Sequence, residues 1–148
     1  MAKACQAMLV HRSGTAKEDL YHIDSRTGEV RAKSVSGDEN YQTKATSKTI
    51  KAIAENRGNL IGIHNHGTNI PPTGSDSSAA RLNGYKFGIA ALHDGRVFTF
   101  TCRNSKFNSR SFDEKINRLR QQGYSSDDAF VKAAEQAAER GLISWTLL

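Results

Sequence analysis

The feature that most constrains the fold of this chain is the apolar run at residues 59–66. Leucine, isoleucine and one glycine dominate its first half, and the run then passes directly into His64, Asn65 and His66. Apolar runs of about four to eight residues predict buried β-strands. The diproline at 71–72 follows, and it excludes a regular element immediately after the strand. We therefore expect a central strand that carries polar side chains at its carboxyl end.

The rest of the chain alternates between strand and helix patterns. Further strands are predicted over residues 19–24, 29–34, 85–93 and 96–102, and helices over residues 2–11 and 47–56, with a short helix ending at residue 82. Two amphipathic helices follow residue 108, separated by Gly123, with residues 126–128 capping the second. Residues 36–43 are predicted as a loop, and residues 143–148 as a terminal strand or docked end. This order predicts an α+β fold in which helices pack on a central mixed, mostly antiparallel sheet.

The charge balance and the cysteines limit the classes of partner. Lys and Arg outnumber Asp and Glu by 21 to 15, which gives a net charge of +6, but no basic run of five or more occurs. Nucleic acid stays open as a partner without being indicated, because specific binders usually cluster their basic residues. Cys5 and Cys102 have no metal-ligand spacing, and no membrane span or secretory signal is recognisable. We expect a soluble protein of a reducing, cytoplasmic compartment, with no membrane partner.

The pair His64 and His66 is the first candidate for chemistry. Side chains at positions i and i+2 of a strand point to the same face, so the two imidazoles converge while Asn65 faces away. Two imidazoles placed in this way can bind one Zn²⁺ at about 2.0 to 2.1 Å each. The pair alone is also compatible with two solvated or hydrogen-bonded histidines at a strand end.

Asp76 is the candidate for a third ligand. Thr73 and Ser75 are both suitable N-caps for the short helix that ends at residue 82, and Asp76 then lies in its first turn. A catalytic zinc site needs three protein ligands and an open position for water. The sequence therefore predicts a zinc site formed by this carboxylate and the two histidines, at which water is activated.

The arrangement resembles the JAMM motif of the JAB/MPN superfamily, in which an upstream Glu, an HxH pair, a Ser and an Asp follow one another. Residues 61–67 are especially similar to the RadC-type branch, whose strand ends in His-Asn-His-Pro. The resemblance covers residues 18–100 and implies His64, His66 and Asp76 as zinc ligands, with Thr73 in place of the Ser. It also implies a single JAB/MPN domain over residues 1–148, similar in fold to cytidine deaminase, with a core at 15–102 and a helical extension at 109–148.

Three positions depart from the family pattern. Gly67 stands where the family usually has Pro, Thr73 stands for Ser, and six residues rather than seven separate His66 from Thr73. Threonine keeps the hydroxyl donor of serine. The shorter loop bears on the placement of Asp76, for which Asp94 in the predicted hairpin turn is a remote alternative.

The resemblance also implies a general base. The family's Glu precedes the first strand, and Glu18, directly before residue 19, matches that place. The residues alone do not distinguish it from Glu29 or Glu39, which also lie upstream. In the implied mechanism Glu18 accepts a proton from zinc-activated water and Thr73 helps to stabilise the oxyanion. The reaction is hydrolysis of an amide, peptide or isopeptide bond in a protein or peptide substrate.

Two other functions stay open. Many members of the superfamily serve as binding or scaffold modules, and the C-terminal helices with the basic surface could dock a partner in that way. A metal-dependent nuclease is the third alternative, which the positive charge favours, although a contiguous His-Asn-His is not the HNH nuclease motif. Residues 8–15 together with 18–21 also resemble C-terminal regions of phage head-morphogenesis proteins. That resemblance implies a setting in a phage or a bacterial mobile element.

Overall fold

The computed structural model describes residues 2–35 and 45–148. The helices are α1 (Ala2–Arg12), α2 (Ser47–Glu55), α3 (Gly74–Leu82), α4 (Ser109–Gln121) and α5 (Ser126–Glu139). The strands are β1 (Asp19–Asp24), β2 (Val30–Val35), β3 (Leu60–His66), β4 (Phe87–Leu92), β5 (Val97–Thr101) and β6 (Ser144–Leu147). The predicted loop at 36–43 and the candidate base Glu39 lie outside the described residues.

The six strands form one sheet in the order β2-β1-β3-β4-β5-β6. β3 and β4 run parallel, and every other pair of neighbours in this sheet is antiparallel. The chain is therefore α+β with a mixed, mostly antiparallel sheet, as the sequence predicts. Parallel neighbours need a crossover connection, and α3 supplies it. This connection brings the start of α3 back to the end of β3.

The alternation of side chains along β3 divides the interior into two clusters. Ile61 and Ile63 are buried on one face, where they pack with Met8 of α1. The opposite face carries the larger cluster, which joins β4 and β5 to the helices α3, α4 and α5. Gly62, His64 and His66 point towards this second face, because they alternate with the isoleucines.

The two C-terminal helices pack into the larger cluster. The ring of Phe130 meets that of Phe98 edge-on at 5.3 Å between centroids, and that of Trp145 at the same distance. Asp113 of α4 accepts a hydrogen bond of 2.7 Å from the backbone N–H of Gly74. The predicted helical extension therefore touches the first residue of α3, the helix that carries Asp76.

The element boundaries agree with the sequence predictions to within about two residues, as cap geometry usually allows. Thr73 is the N-cap of α3, so one of the two predicted caps is correct and Ser75 lies inside the helix. The cap of α5 is Ser125, one residue before the predicted 126–128. Within the described parts of the chain, every helix is too short or too polar to cross a membrane.

His22 is a buried polar side chain on the face of β1 that looks towards the larger cluster. It is 0% exposed, and its Nδ1 lies 3.0 Å from the hydroxyl of Tyr85. Burial lowers the pKa of His22 from 6.5 to about 4. Because the unfolded chain binds this proton more tightly, the stability that neutral His22 contributes is present above pH 6.5 and is lost as the pH falls from 6.5 towards 4.

We predict that the replacement His22→Gln removes this pH dependence. Protonation of His22 should lower the free energy of unfolding of the wild-type protein by about 3 kcal/mol between pH 7 and pH 4. Urea denaturation at both pH values measures the free energy of unfolding. Between pH 7 and pH 4 this free energy should fall by about 3 kcal/mol more in the wild type than in the variant. Equal losses in the two proteins would contradict the assignment.

Candidate metal centre

The end of β3 brings His64 and His66 together on one face of the sheet, as the strand alternation predicts. Their Nε2 atoms lie 2.8 Å apart, and the ring centroids are 4.7 Å apart. The side chains are only 12% and 5% exposed, respectively. Two ring nitrogens therefore face each other in a largely water-excluded corner.

Asp76 completes the cluster from the first turn of α3. Its Oδ1 lies 3.2 Å from Nε2 of His64, and its Oδ2 lies 3.4 Å from Nε2 of His66. One ligand atom from each residue can be chosen so that all three lie within 4.8 Å of one another. The three residues predicted as ligands are thus brought together.

A reciprocal capping box fixes the carboxylate of Asp76. The backbone N–H of Thr73 donates to Oδ2 of Asp76 at 2.7 Å, and the Thr73 hydroxyl donates to the same oxygen at 2.9 Å. The backbone N–H of Asp76 donates back to the Thr73 hydroxyl oxygen at 3.4 Å. These contacts leave Oδ1 directed at His64. In this arrangement Thr73 positions the carboxylate of Asp76, whereas its oxyanion role stays a prediction.

The backbone carbonyl of Ile70 determines the tautomer of His66. Nδ1 of His66 lies 2.7 Å from this oxygen. A carbonyl oxygen only accepts hydrogen bonds, so Nδ1 carries a proton and donates it. The lone pair of a neutral His66 is then on Nε2, the atom that faces His64 and Asp76. Metal-binding histidines are usually oriented by this kind of contact.

The charges of the cluster stabilise one another. Burial acts to raise the pKa of Asp76, but the charges and hydrogen bonds of His64 and His66 outweigh it and hold the pKa well below its ordinary value. Burial acts to lower the pKa of His66, and the hydrogen bond and charge of Asp76 outweigh it, so the pKa is raised. Asp76 therefore stays ionised, and a metal ion would bind in place of the protons on the two imidazoles.

Glu18 lies beside this cluster, in the segment just before β1. It lines the same cavity as His64 and Asp76. Burial raises the pKa of Glu18, and the nearby His66 and His64 oppose that effect in part. Glu29, by contrast, is 65% exposed and pairs with Arg31 at 3.2 Å, so of the two candidate bases among the described residues the fold brings Glu18 to the site.

Asp94, the remote alternative to Asp76, belongs to a turn. It accepts a hydrogen bond from the backbone N–H of Arg96 at 3.1 Å and pairs with the guanidinium of that residue at 2.6 Å. Its carboxylate therefore neutralises an arginine in the β4–β5 hairpin and takes no part in the histidine cluster.

Asn65 is a site residue whose role the sequence did not predict. Its side chain is 0% exposed and points away from the two histidines. Its Oδ1 accepts from the backbone N–H of Asp19 at 2.8 Å, and its Nδ2 donates to the backbone carbonyl of Lys17 at 2.9 Å. These two groups stand on either side of Glu18. Asn65 therefore holds the backbone that presents Glu18. The signal in the sequence was an amide on the face of the strand that otherwise carries isoleucines.

The carboxylate of Asp19 holds the segment around Glu18 from the side of α1. It is 0% exposed and accepts from Nε of Arg12 at 2.7 Å, with Nδ1 of His11 also at 2.7 Å. Both partners lie in the last turn of α1, so the helix is tied to the start of β1. This contact between α1 and β1 was not predicted from the sequence.

The donor set fits zinc. Two imidazole nitrogens and one carboxylate oxygen are typical zinc ligands, and three protein ligands are the number used in catalytic sites. A tetrahedral zinc ion with bonds of about 2.05 Å needs its two nitrogens about 3.3 Å apart. The two rings must therefore separate by about 0.5 Å, a displacement within the reach of side-chain rotation.

Comparison of the chain with protein-family models, with curated proteins and with solved structures finds no match.

The close approach of two backbone segments explains Gly67, the position where the resembling family usually has Pro. A Cβ at this position would lie 2.7 Å from the Cα of Ala16. Any larger residue must therefore push the segment that leads to Glu18 away from the end of β3.

We predict that Gly67→Ala lowers the free energy of unfolding by about 1 to 3 kcal/mol, the usual cost of overpacking. Thr68 is the exposed neighbour of Gly67 and offers a control. The replacement Thr68→Ala should change the free energy of unfolding by less than about 0.5 kcal/mol. Chemical denaturation measures both. Equal stability of the Gly67→Ala variant and the wild type would show that the two segments are not in contact.

We predict that the purified protein binds one zinc ion per chain and that Asp76→Asn weakens the binding roughly 100-fold or more, because a neutral amide replaces an anionic ligand. Isothermal titration calorimetry measures the affinity. Asp94→Asn is the matched control and should bind zinc like the wild type. If the two variants bind alike, Asp76 is not a ligand.

Proposed function

We propose that this protein is a zinc-dependent hydrolase of peptide or isopeptide bonds. The observation that carries the proposal is the convergence of His64, His66 and Asp76 on one point, with Glu18 lining the same cavity. Three ligands and an adjacent carboxylate are the minimum set for metal-assisted hydrolysis. The shifted pKa values of Asp76, His66 and Glu18 within one cluster favour a functional role.

Each residue of the site has its own role in the proposed hydrolysis. His64, His66 and Asp76 would hold the ion. Zinc bound by such ligands supplies Lewis-acid chemistry, which makes water acidic enough to be a nucleophile near neutral pH. Glu18 accepts the proton of the attacking water and returns it to the leaving amine. Its burial suits this exchange, because a carboxylate with a raised pKa holds a proton more readily.

Asn65 acts through Glu18 and is a positioning residue. Its two hydrogen bonds fix the peptide groups before and after Glu18. A general base must lie within hydrogen-bonding reach of the proton that it removes. The same strand thus provides two ligands on one face and, on the other face, the group that aligns the base.

We further propose that the chain belongs to the JAB/MPN superfamily, in the RadC-like branch, and that it acts in a phage or a bacterial mobile element. In support, the order of parts is that of the JAMM motif: a Glu before the first strand, an HxH at the end of the central strand, and an Asp in the first turn of the next helix. The substrate in this proposal is a protein or peptide, and the setting is the cytoplasm. Both cysteines are free thiols, which suits a reducing compartment.

A binding module is the second candidate, and one observation favours it. An apolar groove of about 1060 Å³ runs along the sheet face on the side of α1, between this helix and the strands β4, β5 and β6. Val10 and Leu148 line it and are 72% and 75% exposed. Exposed apolar surface of this kind often marks an interface. It lies on the face opposite the histidine cluster, so binding there is compatible with hydrolysis.

We predict that the zinc-loaded protein generates new amino termini in a mixture of peptides and that Glu18→Gln lowers the rate by about 10²- to 10⁴-fold, because the proton acceptor is lost. Mass spectrometry measures the products. Zinc affinity should be unchanged in this variant. Glu29→Gln is the control and should retain the wild-type rate.

The variant Asn65→Leu tests the positioning role in the same assay. It should lower kcat more than it raises KM, while the zinc stoichiometry stays at one per chain. Thr49→Val removes another buried hydrogen bond, far from the site, and controls for simple loss of stability. A zinc-loaded wild-type protein that cleaves no peptide or isopeptide would contradict the hydrolase proposal and leave the binding module.

A further inference from the structure

The cavity that Glu18, His64 and Asp76 share with apolar residues has a volume of about 130 Å³. We infer that it is a specificity pocket that takes a small aliphatic side chain of the substrate, next to the bond that is cleaved. This inference rests on the proposed function. The apolar walls are Leu20, Ala79, Ala80, Tyr85 and Phe100, and the floor contains Gly62 and Gly88.

The strand register separates a polar end of the pocket from an apolar end. Leu20 of β1 stands opposite His64 of β3, and Gly62 pairs with Gly88 of β4 one side-chain level further from the end of β3. Glu18 precedes Leu20, so it lies at the polar end together with His64. A substrate group that points away from the ligands therefore meets the rings of Tyr85 and Phe100, which cover the two glycines.

The two glycines allow aromatic rings to lie directly on the sheet. A Cβ at Gly62 would lie 2.3 Å from the ring of Tyr85, and one at Gly88 would lie 2.4 Å from the ring of Phe100. A side chain at either position would force the ring to shift. The present position of both rings, and with it the shape of the pocket, therefore requires glycine at both positions.

The rings are held in place, so the pocket is preformed. The hydroxyl of Tyr85 lies 3.0 Å from Nδ1 of His22 and accepts from Nδ2 of Asn83 at 3.1 Å. Phe100 is buried and meets the ring of His64 edge-on at 6.3 Å between centroids. A fixed wall on each side gives the pocket a defined width.

The volume selects the size of the occupant. An apolar cavity of about 150 Å³ holds one benzene molecule. Part of the 130 Å³ lies beside Glu18, His64 and Asp76, so the apolar end suits a branched side chain of three or four carbons. The apolar walls disfavour a charged occupant, since a charge buried without a partner is costly. Valine-like and leucine-like groups are therefore the expected class.

A series of hydroxamates with different side groups tests the inference without any substrate. The hydroxamate group binds zinc, and the alkyl group probes the pocket. Affinities of acetohydroxamate, isovalerohydroxamate and 2-naphthohydroxamate for the zinc-loaded protein are measured by calorimetry. We expect the isobutyl group to bind about 10- to 50-fold more tightly than methyl, because about three more carbons are buried, and naphthyl to bind more weakly than isobutyl.

The variant Ala79→Leu fills the pocket from the exposed side of α3. It should abolish the gain of isobutyl over methyl, while one zinc ion still binds per chain. Ser75→Leu, at an exposed position of the same helix that does not line the pocket, is the control and should keep the wild-type series. In the wild type, isovalerohydroxamate should also shift the backbone amide resonances of Gly62 and Gly88.

The outcomes separate the two proposals. If zinc and acetohydroxamate bind but all three hydroxamates bind with equal affinity, the specificity pocket is wrong and the metal centre stands. An isobutyl gain that survives in Ala79→Leu, or that leaves the two glycine resonances unshifted, overturns the pocket as well. If the protein binds no zinc, the proposed function and the pocket that depends on it are both wrong.

Discussion

The contact between the first turn of α3 and the end of β3 is the interaction on which the rest of the structure depends. One carboxylate oxygen of Asp76 is fixed by the Thr73 cap, and the other is left facing His64. The start of α3 is in turn tied to α4 through Asp113. The N-cap Thr73 both stabilises the start of α3 and orients the carboxylate of Asp76. The stability of this helix end and the geometry of the cluster are therefore coupled.

The second constraint comes from the two faces of β3. His64 and His66 point to the side of α3, and Asn65 between them points to the side of α1 and holds the segment that carries Glu18. A shift of β3 by one residue would exchange the faces and destroy both arrangements together. The buried Asp19, which binds Arg12 and His11, links the same segment to α1. The proposed ligands and the proposed base are therefore held in place by one connected set of contacts.

The parts of the site that depend on local rules were predictable from the sequence. Strand alternation places the two histidines on one face, and a threonine cap three residues before Asp76 places the carboxylate in the first helical turn. The parts that depend on contacts between distant residues were not. Asn65 meets Lys17 and Asp19 across 48 and 46 residues, and Tyr85 meets His22 across 63. The need for glycine at position 67 likewise follows only from its contact with the backbone of Ala16.

The most direct test of the central claim is a crystal structure of the zinc-loaded protein with anomalous diffraction data recorded at the zinc edge. The account predicts one strong anomalous peak per chain, bonded to Nε2 of His64, Nε2 of His66 and a carboxylate oxygen of Asp76, with the Glu18 carboxylate facing it. A peak bonded to other residues, or an ordered cluster with no peak, would contradict the account.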